Sequence, residues 1–299
     1  MKFGIDVGGT TVKIGVVEAN RIIDKYEIPT IKETLFEDIS SFLKDYISKN
    51  SIQNIEGIGF GLPGNVVNNY IYNLPNIGIK DIDLTKEMDK HFPGVLVIAQ
   101  NDANVAALGE MLYHNEYKNA CMITLGTGVG CGIVLNGKVL EGVHGAAGEV
   151  GHMCIAGEYN FSCACGLKGC LETVASATGV VRLAKYHYKE YETKLASEFT
   201  AKDVFDLAKQ KDPLCLFVVD KVAYYIAKCI SILGITVDVD VYYIGGGVSK
   251  AGDILIDAIK KHYKTLALFA VKNVKIEQAT LLNDAGMLGA AGLIIKDEQ

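Results

Sequence analysis

Four potential metal ligands lie within nineteen residues of one another near the middle of the chain. They are His152, Cys163, Cys165 and Cys170. Three thiols and one imidazole are a common ligand set for tetrahedral Zn²⁺. Because four protein ligands would fill the coordination shell, the spacing predicts a structural zinc site rather than a Lewis acid that takes part in a reaction. The alternative is that three unrelated reduced cysteines happen to lie close together in the sequence.

The remaining cysteines have a different context. Cys154 lies between the first two predicted ligands and is a spare thiol that makes the ligand assignment ambiguous. The other four lie in apolar segments, where a free cysteine behaves as a small core residue. They are Cys121, Cys131, Cys215 and Cys229.

Two short glycine-rich segments each separate two predicted strands. The first glycine turn comprises Gly8, Gly9, Thr10 and Thr11, and the second comprises Gly126, Thr127, Gly128, Val129 and Gly130. Glycine lets backbone N–H groups approach the oxygen atoms of a phosphate without a side chain in the way. Neither turn has the Walker A pattern or leads into a helix, as a Rossmann turn does. The alternative is that both segments are ordinary hairpin turns. The presence of two similar segments favours phosphate binding over this alternative.

Two charged residues flank the first glycine turn. Asp6 ends the preceding strand, and a carboxylate beside phosphate requires a bridging cation, so we expect it to organise Mg²⁺ through water. Lys13 lies on the following strand, where it either reaches a phosphate or is a solvated strand lysine.

Three further carboxylates are candidates for acid–base or hydroxyl-binding roles. Asp102 lies where a strand gives way to a helix, an edge that faces the ligand in α/β proteins. There it can accept the proton of an attacking hydroxyl, or simply cap the helix, as Asn101 and Asn104 also can. Glu149 and Glu172 bracket the predicted zinc ligands, which would bring both near small residues that admit a sugar ring.

The elements that position these residues follow from hydrophobic periodicity. Apolar runs predict strands over residues 3–7, 12–17, 21–26, 55–61, 95–99, 121–125, 131–135, 138–140 and 241–244, and helical periodicity predicts helices around residues 35–47, 105–111, 218–233 and 284–294. The two strand–glycine turn–strand units form a weak internal repeat. We therefore expect two α/β domains facing each other across a cleft, a small one of residues 1–116 plus 285–299 and a large one of residues 117–284 with the zinc motif.

Composition limits the classes of function. The chain has 299 residues, a formal net charge of −6 and 21% charged residues, which disfavours a broad nucleic-acid-binding surface. Apolar runs are shorter than the roughly 20 residues that cross a membrane, and no signal-peptide pattern is apparent. These features predict a cytoplasmic protein with reduced cysteines, and with no nucleic-acid or membrane partner.

The motifs together resemble the ROK family (repressor, open reading frame, kinase), most closely its bacterial glucokinases. The matching segments are residues 6–10, 59–64, 101–104, 125–130, 148–152 and 163–172. They occur in family order and cover nearly the whole chain. The segment from Gly148 to His152 and the cysteine motif are specific to the family, whereas the first glycine turn is shared with actin, hexokinase and acetate kinase.

This resemblance implies an actin-like, ribonuclease H-like two-domain ATPase fold with a central cleft. It implies phosphoryl transfer from MgATP to the 6-hydroxyl of glucose, a step of carbohydrate metabolism and glycolysis, with Asp102 as general base. It makes Gly64, Asn101, Asp102, Glu149, His152 and Glu172 the sugar contacts. It assigns the two glycine turns to the phosphates and residues 245–247, including Gly246 and Gly247, to the nucleoside. A homodimer or homotetramer is also implied.

Two positions depart from the family pattern. Cys131 stands where a glycine is common beside the second glycine turn, and places a thiol near the expected phosphates. Asn76 stands where many members have glycine before an aromatic residue. That segment is expected near the sugar, so Asn76 weakens the assignment to glucose.

Several functions compete with the glucose kinase. Kinases of N-acetylmannosamine, N-acetylglucosamine, fructose and allose share most of these motifs. A sugar-sensing repressor of the same family would carry an N-terminal winged helix, for which the first strand near Phe3 leaves no room. An actin-like ATPase would not need Glu149, His152 and Glu172 gathered by a metal. Polyphosphate or another nucleotide also stays open as the donor.

Overall fold

The computed structural model describes residues 1–295. Its strands are β1 (Lys2–Val7), β2 (Thr11–Glu18), β3 (Arg21–Pro29), β4 (Gly57–Leu62), β5 (Asn65–Val67), β6 (Tyr70–Leu74), β7 (Ile79–Asp83), β8 (Val97–Asn101), β9 (Ala120–Leu125), β10 (Val129–Leu135), β11 (Lys138–Val139), β12 (Val241–Gly245) and β13 (Lys275–Gln278). Its α-helices are α1 (Leu35–Lys49), α2 (Leu84–Asp89), α3 (Asp102–His114), α4 (Glu172–Ala175), α5 (Ala177–His187), α6 (Ala201–Lys209), α7 (Pro213–Thr236), α8 (Asp253–Leu266) and α9 (Ala285–Gly292). Within residues 1–295, no helix is both long and apolar enough to span a bilayer.

The chain divides into two compact units. The first consists of Met1–Lys118, Gly132–Ala147 and Leu281–Gln299, and the second of Asn119–Cys131 and Gly148–Thr280. The sequence-based division placed residues 132–147 in the second domain, whereas here they belong to the first unit. Residues 296–299, the end of the predicted 285–299 segment, lie outside the described residues.

The first unit is built on a sheet with the strand order β3-β2-β1-β4-β8. β1 runs antiparallel to β2 and parallel to β4, and β4 is parallel to β8. Every residue of β4 is buried, as expected for a central strand covered on both faces. The carboxyl ends of β1, β4 and β8 consequently meet at one edge of the sheet, where α/β proteins place their ligands.

Helix α9 packs on one face of this sheet at very short range. A Cβ atom on Gly4 would lie 1.9 Å from the Met287 carbonyl oxygen, and one on Gly59 would lie 1.7 Å from that of Ala290. Between α9 and α3, a Cβ on Gly109 would lie 2.1 Å from the Ala285 carbonyl oxygen. Only glycine permits these approaches to the backbone of α9. The same close packing explains why the side chains of α9 are mostly small.

Helix α1 packs against the other face of the same sheet. Its Leu35, Ile39 and Leu43 are buried in one core with Phe3 and Phe60. Because successive side chains of a strand point to opposite faces, these residues lie on the face opposite the glycines that contact α9.

A small three-stranded sheet, β5-β6-β7, lies outside the elements predicted from the sequence. β5 and β6 are antiparallel and are joined at Asn68 and Asn69, which have φ values of 50° and 61°. Asparagine tolerates this left-handed conformation, and two such residues in succession are typical of a tight hairpin.

The second unit contains β9, β12 and β13, with β12 parallel to both neighbours. These strands belong to a sheet of order β11-β10-β9-β12-β13. The strand β10 begins in this unit and continues into residues of the first unit, where β11 pairs with it through Val134 and Val139. Helix α7 is apolar on most of its surface, with Ile226 and Ile230 fully buried, as expected for a helix in the middle of a core.

Candidate active site

The first glycine turn is held by bonds from both sides. The Gly8 N–H donates to the Thr11 carbonyl oxygen over 2.9 Å, and the Thr30 hydroxyl donates to the Gly8 carbonyl oxygen over 2.8 Å. Gly9 and Thr10 at its tip are exposed. The turn thus presents open backbone at the end of β1, as phosphate binding requires.

Asp6 and Lys13 lie opposite each other on β1 and β2. Their charged atoms are 4.0 Å apart, and about a fifth to a quarter of each side chain is exposed. Burial raises the pKa of Asp6, and the positive charge of Lys13 offsets part of that increase. The carboxylate is therefore poorly solvated, which would favour its interaction with a cation.

A second group of predicted residues lies at the ends of β4 and β8. The Asn101 amide donates to the Gly64 carbonyl oxygen over 3.1 Å, and its oxygen accepts the Ala103 N–H over 2.9 Å. Asn101 is therefore the N-cap of α3. Asp102 is exposed in the first turn of the helix, where one carboxylate oxygen also lies 2.9 Å from the Ala103 nitrogen.

Glycine is required at position 64. A Cβ atom there would lie 2.2 Å from the Asn73 carbonyl oxygen. The strand β6 therefore abuts the turn that supplies the predicted sugar contact at Gly64.

Asn76 lies beside the first glycine turn. A Cβ on Gly9 would lie 3.9 Å from the Asn76 Cβ and 4.0 Å from its carbonyl oxygen. The sequence-based expectation placed this segment near the sugar, and within the first unit the structure puts Asn76 next to predicted phosphate-binding residues.

In the second unit, the second glycine turn and residues 245–247 are neighbours. Gly245 pairs with Thr124 at the parallel ends of β12 and β9. Gly246 has a φ of 82°, and a Cβ there would lie 2.5 Å from the Leu125 carbonyl oxygen. Among residues 1–295, and apart from the adjacent residues in the chain, no atom lies within 4 Å of the Cβ positions of Gly126 and Gly247, so both glycines border open space. The two segments predicted to bind ATP in this unit thus form one continuous surface.

The four predicted zinc ligands come together. Their donor atoms all lie within 4.8 Å of one another, and we call them the Cys3His cluster. The Cys163 sulfur is 3.6 Å from His152 Nδ1, and the Cys165 and Cys170 sulfurs are 3.7 Å apart. Ligands of a tetrahedral zinc ion with bond lengths of about 2.0 to 2.3 Å are separated by roughly 3.5 to 3.8 Å. The donor set and its spacing therefore fit zinc.

Local backbone geometry shapes this cluster. The Cys163 N–H donates to the Leu167 carbonyl oxygen over 2.9 Å, and Gly166 and Gly169 have φ values of 90° and 71°. A backbone hydrogen bond at Leu167 lowers the pKa of the exposed Cys165 thiol, whereas burial raises the pKa of the Cys170 thiol. Cys154 is exposed and is not a member of the cluster.

The two predicted sugar-binding glutamates approach the cluster from different directions. A carboxylate oxygen of Glu149 lies 3.9 Å from His152 Nε2, the nitrogen that a metal bound at Nδ1 would leave free. This separation is longer than a hydrogen bond, so it places Glu149 beside the imidazole without fixing the orientation of the ring. One Glu172 oxygen lies 3.7 Å from the Cys163 sulfur, and the other accepts the Val129 N–H over 3.1 Å.

Two contacts of the second glycine turn were not anticipated. The Ala177 N–H donates to the Gly126 carbonyl oxygen over 2.8 Å, and the Thr178 hydroxyl donates to that of Thr127 over 3.3 Å. The sequence contains one related signal, Ser176, which is a residue type that often begins a helix. Its side chain caps α5 by accepting the Gly179 N–H. That signal identifies the start of a helix but not what the helix contacts.

The cysteines outside the cluster pack as core residues. Cys121, Cys131, Cys215 and Cys229 are buried. A hydrogen bond with Cys121, together with burial, raises the pKa of the Cys131 thiol well above its ordinary value. Burial and the raised pKa both disfavour the reactive thiolate form of Cys131.

Comparison with known proteins identifies the family. The model of the ROK family matches residues 2–297. The chain belongs to the ROK family. It is 43% identical to a glucokinase of Halalkalibacterium halodurans over 314 residues, which cover 99% of this chain and 95% of that protein. It is 32% identical to a glucokinase of Thermotoga maritima over 306 residues, which cover 97% of this chain and 96% of that protein.

A solved ROK structure with bound ligands is also similar. It is the ROK family glucokinase from Streptomyces griseus in complex with glucose and AMPPNP, which is 27% identical with a TM-score of 0.75 and matches over 98% of each chain. The relatives and the two α/β units confirm the predicted actin-like, ribonuclease H-like two-domain kinase fold.

Proposed function

We propose that this ROK protein is an ATP-dependent glucose kinase that transfers the γ-phosphoryl group of MgATP to the 6-hydroxyl of glucose. The observation that carries the proposal is the site in the second unit, where a Cys3His cluster, two glutamates and a glycine turn lie together in a chain closely related to glucokinases. A metal-organised set of carboxylates suits a polyhydroxylated substrate, and open glycine backbone suits phosphates.

The transfer needs a group that accepts the proton of the attacking hydroxyl. Asp102 is the candidate, because it is exposed in the first turn of α3, next to the N-cap Asn101. In the proposed reaction the 6-hydroxyl oxygen bonds to the γ-phosphorus, the bond to the β–γ bridging oxygen breaks, and the hydroxyl proton goes to Asp102. ADP and glucose 6-phosphate leave.

The remaining residues bind and orient the two substrates. We assign Gly64, Asn101, Glu149, His152 and Glu172 to the sugar. We assign Gly8, Gly9, Thr10, Thr11, Lys13, Gly126, Thr127 and Gly128 to the phosphates, and Gly246 and Gly247 to the nucleoside. The Mg²⁺ that accompanies ATP would neutralise phosphate charge, with Asp6 holding it through water. The zinc of the Cys3His cluster would be structural and fix His152.

The second candidate is a kinase of an N-acetylated hexosamine such as N-acetylmannosamine. Its support is a relative of that activity, an N-acetylmannosamine kinase of Escherichia coli that is 30% identical over 96% of this chain. The chemistry and the assignment of Asp102 are the same for both candidates, and only the accepted sugar differs.

The test is ADP release from MgATP in the presence of glucose, mannose, fructose, allose, N-acetylglucosamine or N-acetylmannosamine. We expect glucose to stimulate release strongly, and ATP alone to give little. Preference for an acetamido sugar would keep the mechanism and change the substrate. Release that no sugar increases would overturn the kinase assignment.

A further inference from the structure

Three hydrogen bonds tie the second glycine turn to the segment that follows the last cluster ligand, Cys170. The Val129 N–H donates to Glu172 Oε2 over 3.1 Å. The Ala177 N–H donates to the Gly126 carbonyl oxygen over 2.8 Å, and the Thr178 hydroxyl donates to that of Thr127 over 3.3 Å. All of these residues belong to the second unit. The turn is therefore anchored from the side of the metal cluster.

Glu172 is the residue that contacts both the cluster and the turn. Its Oε1 lies 3.7 Å from the Cys163 sulfur, while Oε2 binds Val129. A Cβ on Gly128 would lie 2.3 Å from Oε2, so the backbone of the turn lies directly against the carboxylate. The Glu172 carbonyl oxygen also accepts the Ser176 hydroxyl over 2.8 Å, which connects the same residue to the start of α5.

An anchored turn binds phosphate better than a free one. A short glycine-rich loop without fixed contacts samples many backbone conformations, and ordering it on ligand binding costs conformational entropy. Contacts that hold the loop in its binding conformation remove that cost in advance. Since Glu172 follows Cys170 by only two residues, a metal ion held by Cys163 and Cys170 would restrain the position of its carboxylate.

We propose that Glu172 is a positioning residue for the second glycine turn, and that it couples occupancy of the Cys3His cluster to nucleotide affinity. This inference rests on the proposed function, in which the turn binds the phosphates of ATP. It adds to the sugar contact assigned to Glu172 a separate role toward the other substrate, through the bond from the Val129 N–H to Oε2.

The test separates these two roles with two variants of Glu172. Binding of a fluorescent MgATP analogue is measured without sugar, so the readout does not depend on catalysis. Glu172→Gln keeps an oxygen at the same reach for the Val129 N–H, and we expect nucleotide affinity within about twofold of wild type but a higher KM for sugar. Glu172→Asp is one methylene shorter, and loss of one hydrogen bond to a charged acceptor should weaken nucleotide binding by about tenfold.

The controls separate positioning from misfolding. Glu192→Gln changes an exposed glutamate of the same unit and should leave nucleotide affinity unchanged. Thr178→Val removes the hydroxyl that binds Thr127 while keeping the side-chain shape, and should weaken nucleotide binding by about threefold. Thermal melting and zinc content are measured for each variant. A Glu172→Asp protein that melts like wild type but binds nucleotide poorly supports the proposal.

Metal removal supplies the second arm. Protein stripped of metal with a chelator and then dialysed should bind the MgATP analogue about tenfold more weakly, and recover on addition of Zn²⁺. Unchanged or tighter nucleotide binding in Glu172→Asp would overturn the proposal while leaving the kinase assignment intact. Failure of the wild-type protein to bind MgATP would overturn both.

Discussion

At the level of single residues, Asp102 and Asn101 are the two candidates for capping α3 and for accepting the hydroxyl proton. Asn101 is the N-cap of α3 and also binds the Gly64 carbonyl oxygen, while Asp102 is the first residue of the helix. An exposed carboxylate on a helix that its neighbour caps is a good candidate for chemistry. Its position at the end of a parallel strand is where α/β proteins place reactive groups.

We predict that Asp102→Asn lowers kcat by about 10²- to 10⁴-fold, because an amide cannot accept the hydroxyl proton. Glucose affinity should stay within about threefold, since the substitution keeps the size and polarity of the side chain. Turnover is measured by ADP release and affinity by calorimetry. Asp45→Asn, an exposed aspartate of α1, is the control and should behave like wild type. Near-normal turnover in Asp102→Asn would exclude Asp102 as the base.

Asp6 is poorly solvated, and its proposed role toward Mg²⁺ requires the charged carboxylate, so we expect opposite effects of its removal on stability and activity. Its pKa is raised by burial, so the folded state binds the proton more tightly than the unfolded chain does. The stability contributed by protonated Asp6 is therefore complete at low pH and is lost as the pH rises through the folded-state pKa. At neutral pH the ionised carboxylate costs folding free energy.

We predict that Asp6→Asn melts at a higher temperature than wild type at pH 8 in metal-free buffer, but has lost most of its MgATP-dependent turnover. The difference in melting temperature should shrink as the pH falls toward the Asp6 pKa, where the wild-type carboxyl group becomes neutral. Melting curves across this range provide the measurement. A lower melting temperature for the variant at pH 8 would show that the Lys13 ion pair outweighs desolvation.

Residue types and local spacing were sufficient to predict part of the candidate site. The Cys3His cluster is contained within one short segment, so its gathering follows from local geometry. The bond from Val129 to Glu172 joins residues 43 positions apart, and the proximity of Asn76 to Gly9 joins the segment after β6 to the turn after β1. Such contacts depend on tertiary packing, which local pattern does not specify.

Among the structural elements, the segment that carries the Cys3His cluster has little regular structure of its own. A 3-10 helix at Val150–His152 and the short α4 flank it, and the cysteine turn relies on Gly166 and Gly169 in left-handed conformations. A loop of this kind gains much of its order from bound metal. We expect zinc to hold His152 and the neighbouring glutamates in the geometry that binds sugar.

We predict that Cys165→Ser loses its single equivalent of tightly bound zinc and has reduced glucose affinity. Cys165 is exposed, so the substitution removes a ligand with little loss of core packing. Cys154→Ser is the matched control, because Cys154 is also exposed but lies outside the cluster, and it should retain zinc and affinity. Elemental analysis and calorimetry give the two readouts. Stoichiometric zinc in Cys165→Ser would remove this residue from the ligand set.

Most strands and long helices were predictable because their apolar patterns are strong. The buried β4 and β9 were recognised from the sequence, while β13 and the three strands β5, β6 and β7 were not. Those three strands are short and mostly polar on one side, and turn residues surround them. Their hairpin signal, Asn68 followed by Asn69, is weaker than the Asn-Gly pair at residues 136 and 137 that marks the turn between β10 and β11.

For the whole molecule, neither unit is one continuous stretch of the chain. The first unit is assembled from three separate segments, ending with the one that contains α9. A repeat-based boundary cannot reveal that residues 132–147 return to the first unit, because their sequence looks like a continuation of the second hairpin. The assignment of these residues to the first unit depends on tertiary contacts such as the one between Gly132 and Ala103. A Cβ on Gly132 would lie 2.3 Å from the Ala103 carbonyl oxygen.

This arrangement makes folding of the first unit depend on the end of the chain. Residues Ala285 to Ala291 of α9 are all buried, and they lie against β1, β4 and α3. Removing α9 would expose one face of the central sheet, including backbone that Gly4 and Gly59 leave uncovered. Burial of that face is a contribution that the remaining residues of the first unit cannot replace.

We therefore predict that a chain ending at Thr280 fails to fold its first unit, although α9 carries none of the residues assigned to the reaction. Amide hydrogen exchange should show lost protection in β1 and β4, while α7 and β12 of the second unit stay protected. The chain ending at Ile295 retains α9 and is the matched control. Protection of β1 and β4 in the shorter chain would mean that α9 is an accessory to this core rather than a part of it.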